Sequence, residues 1–238
     1  LVVGNSFSGV ASSYNFLYLN NGSASSPYTT STQITNAQLS TRSIKVADMN
    51  NDGNLDVITG NSERNEIYYH DGVGDPFDSQ SGISISSDSL FSTLDIAIGD
   101  IDRDGYKDMV SAHFGGRHIR LYRFSPDISP ANMNGFDLSV DSLSSRALAL
   151  ADFNGDGSLD VLATAQGINR LYLNDITVEP FNSIVSNDLG PGIATDTFSI
   201  KLVDIDQDGD LDVITGNRLK LNKLYLNNAS NDPFSPLV

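Results

Sequence analysis

Short apolar runs recur along the chain in a fixed order. The first kind alternates: Ile44-Lys-Val46, Ile96-Ala-Ile98, Leu148-Ala-Leu150 and Ile200-Lys-Leu202. Successive side chains of a strand point to opposite faces, so this pattern predicts a half-buried β-strand. The second kind is apolar on both faces, as in Val57-Ile-Thr-Gly-Asn61, Met109-Val-Ser-Ala-His113, Val161-Leu-Ala-Thr-Ala165 and Val213-Ile-Thr-Gly-Asn217, and Leu1-Val-Val-Gly-Asn5 shares its form. It predicts a strand inside a packed sheet. A third run is present in five copies: Phe16-Leu-Tyr-Leu-Asn20, Ile67-Tyr-Tyr-His70, Ile119-Arg-Leu-Tyr122, Arg170-Leu-Tyr-Leu173 and Lys223-Leu-Tyr-Leu226. A weaker fourth element is expected near Pro27-Tyr28, Pro76-Phe77, Gly135-Phe136, Pro180-Phe181 and Pro233-Phe234. Stretches of Ser, Thr, Asn and Gly separate these runs and read as loops. No segment has the length and 3.6-residue period of an amphipathic helix.

Between the first and second runs lies an acidic loop. Asp48-Met-Asn-Asn-Asp-Gly-Asn-Leu-Asp56, Asp100-Ile-Asp-Arg-Asp-Gly-Tyr-Lys-Asp108, Asp152-Phe-Asn-Gly-Asp-Gly-Ser-Leu-Asp160 and Asp204-Ile-Asp-Gln-Asp-Gly-Asp-Leu-Asp212 start 52 residues apart each time. Four short strands in a repeat of about 50 residues mark the blade of a β-propeller, and a solenoid of β-arches would use shorter repeats. The expected architecture is all-β: one β-propeller domain over residues 1–238, with repeats at about 1–42, 43–93, 94–146, 147–198 and 199–238. Four repeats are complete. The first lacks its innermost strand and acidic loop, which would fall just before residue 1. Three explanations stay open: this is a fragment of a longer propeller, another copy supplies the strand by self-association, or the ring closes irregularly. The chain opens on Leu1, with neither an initiator Met nor a signal peptide, which reads as a mature product or a fragment.

Composition narrows the function. The 238 residues carry 14 Lys+Arg against 30 Asp+Glu, a formal net charge of −16. That excludes a nucleic-acid partner, whose backbone requires basic clusters, and disfavours an anionic membrane surface. No apolar run approaches the roughly 20 residues of a membrane span. Nine Tyr and eleven Phe supply a core, and zero Cys excludes disulfides, thiolate metal sites and cysteine nucleophiles.

The acidic loops hold 15 of the 30 acidic side chains. In each loop, oxygens at positions 1, 3, 5 and 9 can converge on one cation and the carbonyl at position 7 adds another, while Gly at position 6 permits the sharp turn. The candidate ligands are Asp48, Asn50, Asp52, Asn54 and Asp56; Asp100, Asp102, Asp104, Tyr106 and Asp108; Asp152, Asn154, Asp156, Ser158 and Asp160; and Asp204, Asp206, Asp208, Asp210 and Asp212. Many hard oxygen donors without His or Cys select Ca²⁺, so about four calcium sites are expected. Position 12 holds Thr59, Ser111, Ala163 and Thr215 where an EF-hand needs Glu, and the flanks are strands, so these are not EF-hands. Calcium would tie the first strand of a blade to the second, turning binding energy into folding energy, with affinities in the millimolar to sub-millimolar range.

The run Val46-Ala-Asp-Met-Asn-Asn-Asp-Gly-Asn-Leu-Asp-Val-Ile-Thr-Gly-Asn61 resembles an FG-GAP/VCBS-type repeat, the calcium-loop blade of integrin α-subunit propellers and of many bacterial surface proteins. So does Val203-Asp-Ile-Asp-Gln-Asp-Gly-Asp-Leu-Asp-Val-Ile-Thr-Gly-Asn217. The resemblance covers nearly the whole chain. It implies a propeller that is secreted or on the cell surface and serves adhesion or ligand recognition. A fungal lectin with similar blades binds sugars between blades, and some polysaccharide lyases use calcium-bearing propellers. Thr59-Gly-Asn61 and Thr215-Gly-Asn217 replace the Phe-Gly-Gly-Ala-Pro signature, which shifts the resemblance from integrins toward bacterial VCBS-type proteins.

The expected function is therefore a calcium-binding extracellular recognition module for a protein or carbohydrate ligand, without enzymatic activity. The competing reading is a carbohydrate-active enzyme, a polysaccharide lyase or hydrolase. That reading needs a base and a charge-neutralising cation in one cleft, and its candidates are His113 and His118 around the loop Phe114-Gly-Gly-Arg117, with Arg120. The recurring Tyr18, Tyr68, Tyr122, Tyr172 and Tyr225 are expected in the core between blades, since a residue in every repeat serves packing more often than recognition.

Overall fold

The computed structural model describes residues 2–4, 14–34, 39–73, 76–77, 81–86, 92–138, 144–175, 181, 187–189, 195–230 and 233–234. The fold is all-β, a series of antiparallel sheets with the inner strands side by side, consistent with a propeller fragment. Sheet one contains β1 (Val2–Val3), β2 (Phe16–Tyr18) and β3 (Ser31–Gln33) in that order. Blade two is β4 (Thr41–Ala47), β5 (Asp56–Asn61), β6 (Glu66–Tyr68) and β7 (Ile83–Ser84). Blade three is β8 (Thr93–Gly99), β9 (Asp108–His113), β10 (Arg120–Tyr122) and β11 (Phe136–Asp137). Blade four is β12 (Ser145–Ala151), β13 (Asp160–Gly167), β14 (Arg170–Tyr172) and β15 (Asn187–Asp188). Blade five is β16 (Thr195–Val203), β17 (Asp212–Asn217) and β18 (Lys223–Tyr225), joined to blade four where Gln166 and Gly167 pair with Asp196 and Thr195.

The innermost strands begin earlier than the alternating runs suggest. Thr41, Thr93, Ser145 and Thr197 each open the pairing with the second strand, opposite Asn61, His113, Ala165 and Asn217, and a β-bulge follows. The fourth strand of blade three begins where expected, at Phe136, whereas those of sheet one, blade two and blade four begin later, at Ser31, Ile83 and Asn187. Pro76-Phe77 and Pro233-Phe234 form turns ahead of that position, and Pro180 lies outside the described residues. Phe77, Phe181 and Phe234 instead bury their rings, at 3%, 5% and 7% exposure. A Pro before an aromatic residue reads as a strand start in the sequence, but without an amide N–H it suits a turn better than a ladder.

Each interface between blades repeats one arrangement. Ile58 and Ile67 of blade two meet Ile96, Met109 and Tyr122 of blade three. Val110 and Leu121 of blade three meet Leu148, Val161 and Tyr172 of blade four. Leu162 and Leu171 of blade four meet Val213 and Phe234 of blade five. Leu17 and Ile34 of sheet one meet Val57, Tyr68 and Phe77 of blade two. Both faces of the inner strands are thus covered, which explains runs apolar on both sides. Each fully buried aliphatic side chain is worth about 1.5–3 kcal/mol. Tyr68, Tyr122 and Tyr172 lie in these interfaces as expected, while Tyr18 and Tyr225 are half-buried. On blade five the face that elsewhere meets the next blade stays open: Leu224 is 47% exposed, whereas its counterparts Ile67, Leu121 and Leu171 are buried.

Buried polar side chains fix the strand ends. The Thr41 hydroxyl donates to Asn61 Oδ1 at 2.7 Å, and the Asn15 amide donates to the Thr41 hydroxyl at 3.0 Å across the first interface. Asn169 and Thr197 repeat that link between blades four and five at 3.1 Å. In blade three His113 stands in place of the asparagine. It is 1% exposed, with Nε2 2.9 Å from the Ser111 hydroxyl and Nδ1 3.4 Å from that of Thr93.

Candidate metal centres

The four acidic loops connect the first and second strands of blades two to five and share one backbone shape. Position 4 adopts positive φ in every loop, at Asn51 (58°), Arg103 (61°), Gly155 (74°) and Gln207 (64°). Position 6 does so too, at Gly53, Gly105, Gly157 and Gly209, where glycine carries the left-handed turn without a Cβ penalty. Neighbouring loops touch. The Asn51 side-chain amide donates to the Gly105 carbonyl at 2.9 Å, and a Cβ on Gly157 would lie 2.9 Å from the Arg103 guanidinium.

Position 9 is buried in every loop, with Asp56, Asp108, Asp160 and Asp212 all at 0% exposure. One carboxylate oxygen accepts the N–H of position 2 (Met49, Ile101, Phe153 or Ile205), each at 2.9 Å. The other accepts the N–H of the second residue after the strand-three tyrosine: His70, Phe124, Asn174 or Asn227. This aspartate therefore ties the loop to the end of the third strand, a role that sequence spacing does not reveal. Burial pushes its carboxyl up, to about 7 for Asp108 and about 6 for Asp160, and raises Asp56 as well.

Position 1 organises the turn. Asp48 accepts from the N–H groups of Asp52 and Gly53, and Asp152 from those of Gly155, Asp156 and Gly157. Asp100 and Asp204 each accept one N–H through Oδ2, from Gly105 and Gly209, while their buried Oδ1 atoms have no hydrogen-bond partner among the described residues. Leaving such an oxygen desolvated and unpaired is costly, and a cation would satisfy it.

The loops divide into two kinds. Carboxylate oxygens of Asp100, Asp102 and Asp108 lie within 4.8 Å of one another, as do those of Asp204, Asp206 and Asp208. In the other two loops position 3 is an asparagine whose amide points at its neighbour: Asn50 donates to Asp52 at 3.0 Å and Asn154 to Asp156 at 2.9 Å. The backbone N–H of Asn54 and the Asn50 amide hold the Asp52 carboxyl below the usual range. Loss of hydration and then the adjacent Asp104 raise Asp102; lost hydration and the neighbouring Asp208 raise Asp206 and Asp210. Tyr106 and Asp210 sit at position 7, where the expected donor is the carbonyl, and their N–H groups close the turn on Asp104 and Asp208. At Ser158, the third occupant of that position, the N–H likewise donates to Asp156 and the buried hydroxyl has no partner among the described residues.

The candidates for an enzyme are not assembled among the described residues. His113 is spent inside blade three, Arg117 is exposed, and His118 is half-buried. Arg120 donates to the Gly135 carbonyl and faces Asp137 at 3.4 Å. The repeat did not flag a cavity of about 300 Å³ beside the second acidic loop, lined in part by Asp102, Asp104, Arg123 and Phe136. Its signal in the sequence was the aromatic residue missing nine positions after Tyr122, where Ala131 stands.

The FG-GAP-like repeat model matches residues 48–111 and 152–215, more than half of the chain. No curated protein sequence matches. Among solved structures, an Agrocybe aegerita lectin, described for specific recognition of non-reducing terminal N-acetylglucosamine, is similar at 16% identity with a TM-score of 0.59. The alignment covers 98% of this chain and 60% of the lectin chain, so this chain spans less than two thirds of it. The Vibrio cholerae biofilm matrix protein Bap1 aligns at 20% identity and a TM-score of 0.43, over 81% of this chain and 32% of that one.

Proposed function

Because this chain belongs to the FG-GAP-like repeat family, we propose that it is a non-enzymatic, extracellular recognition module whose acidic loops bind calcium and whose rim meets a carbohydrate or protein ligand. The carrying observation is the pair of buried oxygens without a partner among the described residues, Asp100 Oδ1 and Asp204 Oδ1, each at position 1 of a loop whose carboxylates converge. Residues of all four loops would hold the ions: Asp48, Asn50, Asp52 and Asp56; Asp100, Asp102, Asp104 and Asp108; Asp152, Asn154, Asp156 and Asp160; and Asp204, Asp206, Asp208 and Asp212. When bound, calcium supplies charge neutralisation and a rigid link among the carboxylates. The chain's own residues then set the strength of each site. Loops two and four begin with converged carboxylates, whereas loops one and three must turn Asn50 and Asn154 from amide donors into carbonyl donors.

The bladed fold that this chain shares with the lectin supports a carbohydrate as one class of ligand. Absence of a membrane-spanning helix among the described residues is compatible with an exterior location. A glycan array probed in millimolar calcium and again in chelator tests the reading. Calcium-dependent binding to one sugar class supports it; a protein shown folded by its melt yet silent on the array leaves a protein ligand as the remaining form.

A further inference from the structure

Blade three departs from the repeat in several places, and the departures surround one cavity. Two residues after the strand-three tyrosine, blades four and five carry Asn174 and Asn227, whose amides reach the preceding blade at Ile101 O (2.8 Å) and Phe153 O (3.0 Å). Blade three carries Phe124 there, buried in the core. Nine residues after that tyrosine, blades two, four and five bury Phe77, Phe181 and Phe234, whereas blade three exposes Ala131. Met133 and Phe124 enter the core instead, and the chain between β10 and β11 makes a 3₁₀ turn over Pro130–Asn132. That path leaves the cavity of about 300 Å³ between the turn and the second acidic loop.

Its walls have a definite chemistry. Phe136 and Ile128 are 44% and 46% exposed and present apolar surface. The Arg123 guanidinium lies 4.6 Å from the centre of the Phe136 ring, which holds that ring by a cation–π contact, and 3.9 Å from Asp102 Oδ2. Asn132 and Asn134 add amides able both to donate and to accept. Asp102 and Asp104, positions 3 and 5 of the second loop, also line it. Two carboxylates against one guanidinium repel an acidic ligand. Apolar patches beside paired donors and acceptors suit a ring with C–H faces and adjacent hydroxyls.

We propose that this cavity is a binding site for one neutral saccharide unit, with its apolar face on Phe136 and its hydroxyls on Asn134, Arg123 and the Asp102–Asp104 wall. Asp102 and Asp104 belong to the cavity and to the cation loop together, so saccharide binding in blade three depends on the calcium state of that loop and not on the others. This inference rests on the recognition reading above and assigns it a place.

Neutral saccharides that bind the intact protein on an array in millimolar calcium are titrated against Phe136→Ala, Asn134→Ala and Asp104→Ala, with Asp208→Ala as a control in the fourth loop. Melting curves check that each variant is folded. The expected result is a loss of more than about tenfold in affinity for the first three variants and little change for the control. Unchanged binding in Phe136→Ala and Asn134→Ala overturns the cavity assignment while the recognition reading stands. Equal losses for Asp104→Ala and Asp208→Ala overturn the dependence on the second loop alone. Binding confined to acidic sugars, or no binding by the folded protein, overturns the saccharide class.

Discussion

Asp108 Oδ1 accepts the backbone N–H of Phe124 at 3.0 Å, while its second oxygen accepts that of Ile101 at 2.9 Å. The last acid of an acidic loop is thus also a clasp on the third strand. Replacing Asp108 with Ala leaves two buried N–H groups unpaired, at about 1–3 kcal/mol each, with or without calcium. Asp104 is exposed and, among the described residues, accepts only the turn N–H of Tyr106. Asp104→Ala should lower the melting temperature in calcium by about 2–4 °C and change little in chelator. Thermal melts of both variants in both buffers check the contrast. An unmoved melting temperature for Asp108→Ala in chelator would remove the clasp from the account.

The same burial gives a dependence on pH. Asp108 at about 7 and Asp160 at about 6 lie above the value near 3.9 of an unfolded chain. The folded state therefore holds protons that the unfolded state releases. Their contribution to stability is complete below about pH 4 and is lost as pH rises through about 6 and 7, at about 1.4 kcal/mol per unit for each group. In chelator the melting temperature should fall between about pH 5 and about pH 8. Calcium competes with those protons, so the increment it adds should grow over that window. Melts at several pH values read both trends, and a shrinking increment contradicts the assignment.

His113 offers a test of the choice between core and catalysis. Asn61 and Asn217 occupy its position in blades two and five, and each bonds the threonine opposite it. His113→Asn should therefore be tolerated within about 1 kcal/mol, whereas His113→Leu, which leaves the hydroxyls of Thr93 and Ser111 without that partner, should cost about 1–3 kcal/mol. Urea unfolding measures both. A large loss for Asn with none for Leu would show that the hydrogen bonds do not hold this site.

Asn174 and Asn227 latch one blade to the loop of the blade before it. Asn174→Ala removes donors to the carbonyls of Ile101 and Leu159, and should destabilise by about 1–3 kcal/mol regardless of calcium. Phe124→Asn is not its mirror image, because Phe124 is part of the apolar core of blade three. Denaturant melts of Asn174→Ala with and without calcium check that the latch and the cation act separately.

Much of this was legible in the sequence because a 52-residue period repeats both apolar runs and acidic loops. Strand order, the interface tyrosines and the turn glycines all follow from positions that recur. What recurs without distinctive chemistry was harder to place. The Pro-Phe pairs look like strand starts, yet the absence of a prolyl N–H puts them in turns and frees Phe77 and Phe234 for the core. The double role of position 9 was invisible, since the backbone amides it accepts from lie far along the chain, as at Asp56 and His70. The difference between loops with Asp102 or Asp206 and those with Asn50 or Asn154 was visible as composition. Its consequence, an amide turned toward Asp52 or Asp156, required the fold. The cavity of blade three arose from what one repeat lacks, at Ala131, and a search for shared motifs passes over an omission.

The measurement closest to the central claim is calcium titration of metal-free protein by calorimetry, with melting temperature followed in parallel. The account predicts saturable binding in the millimolar to sub-millimolar range, a melting temperature that rises with occupancy, and early filling of the loops of Asp100 and Asp204. Those early sites should vanish in Asp100→Ala and Asp204→Ala. Absence of binding heat together with an unmoved melting temperature would contradict the calcium staple outright.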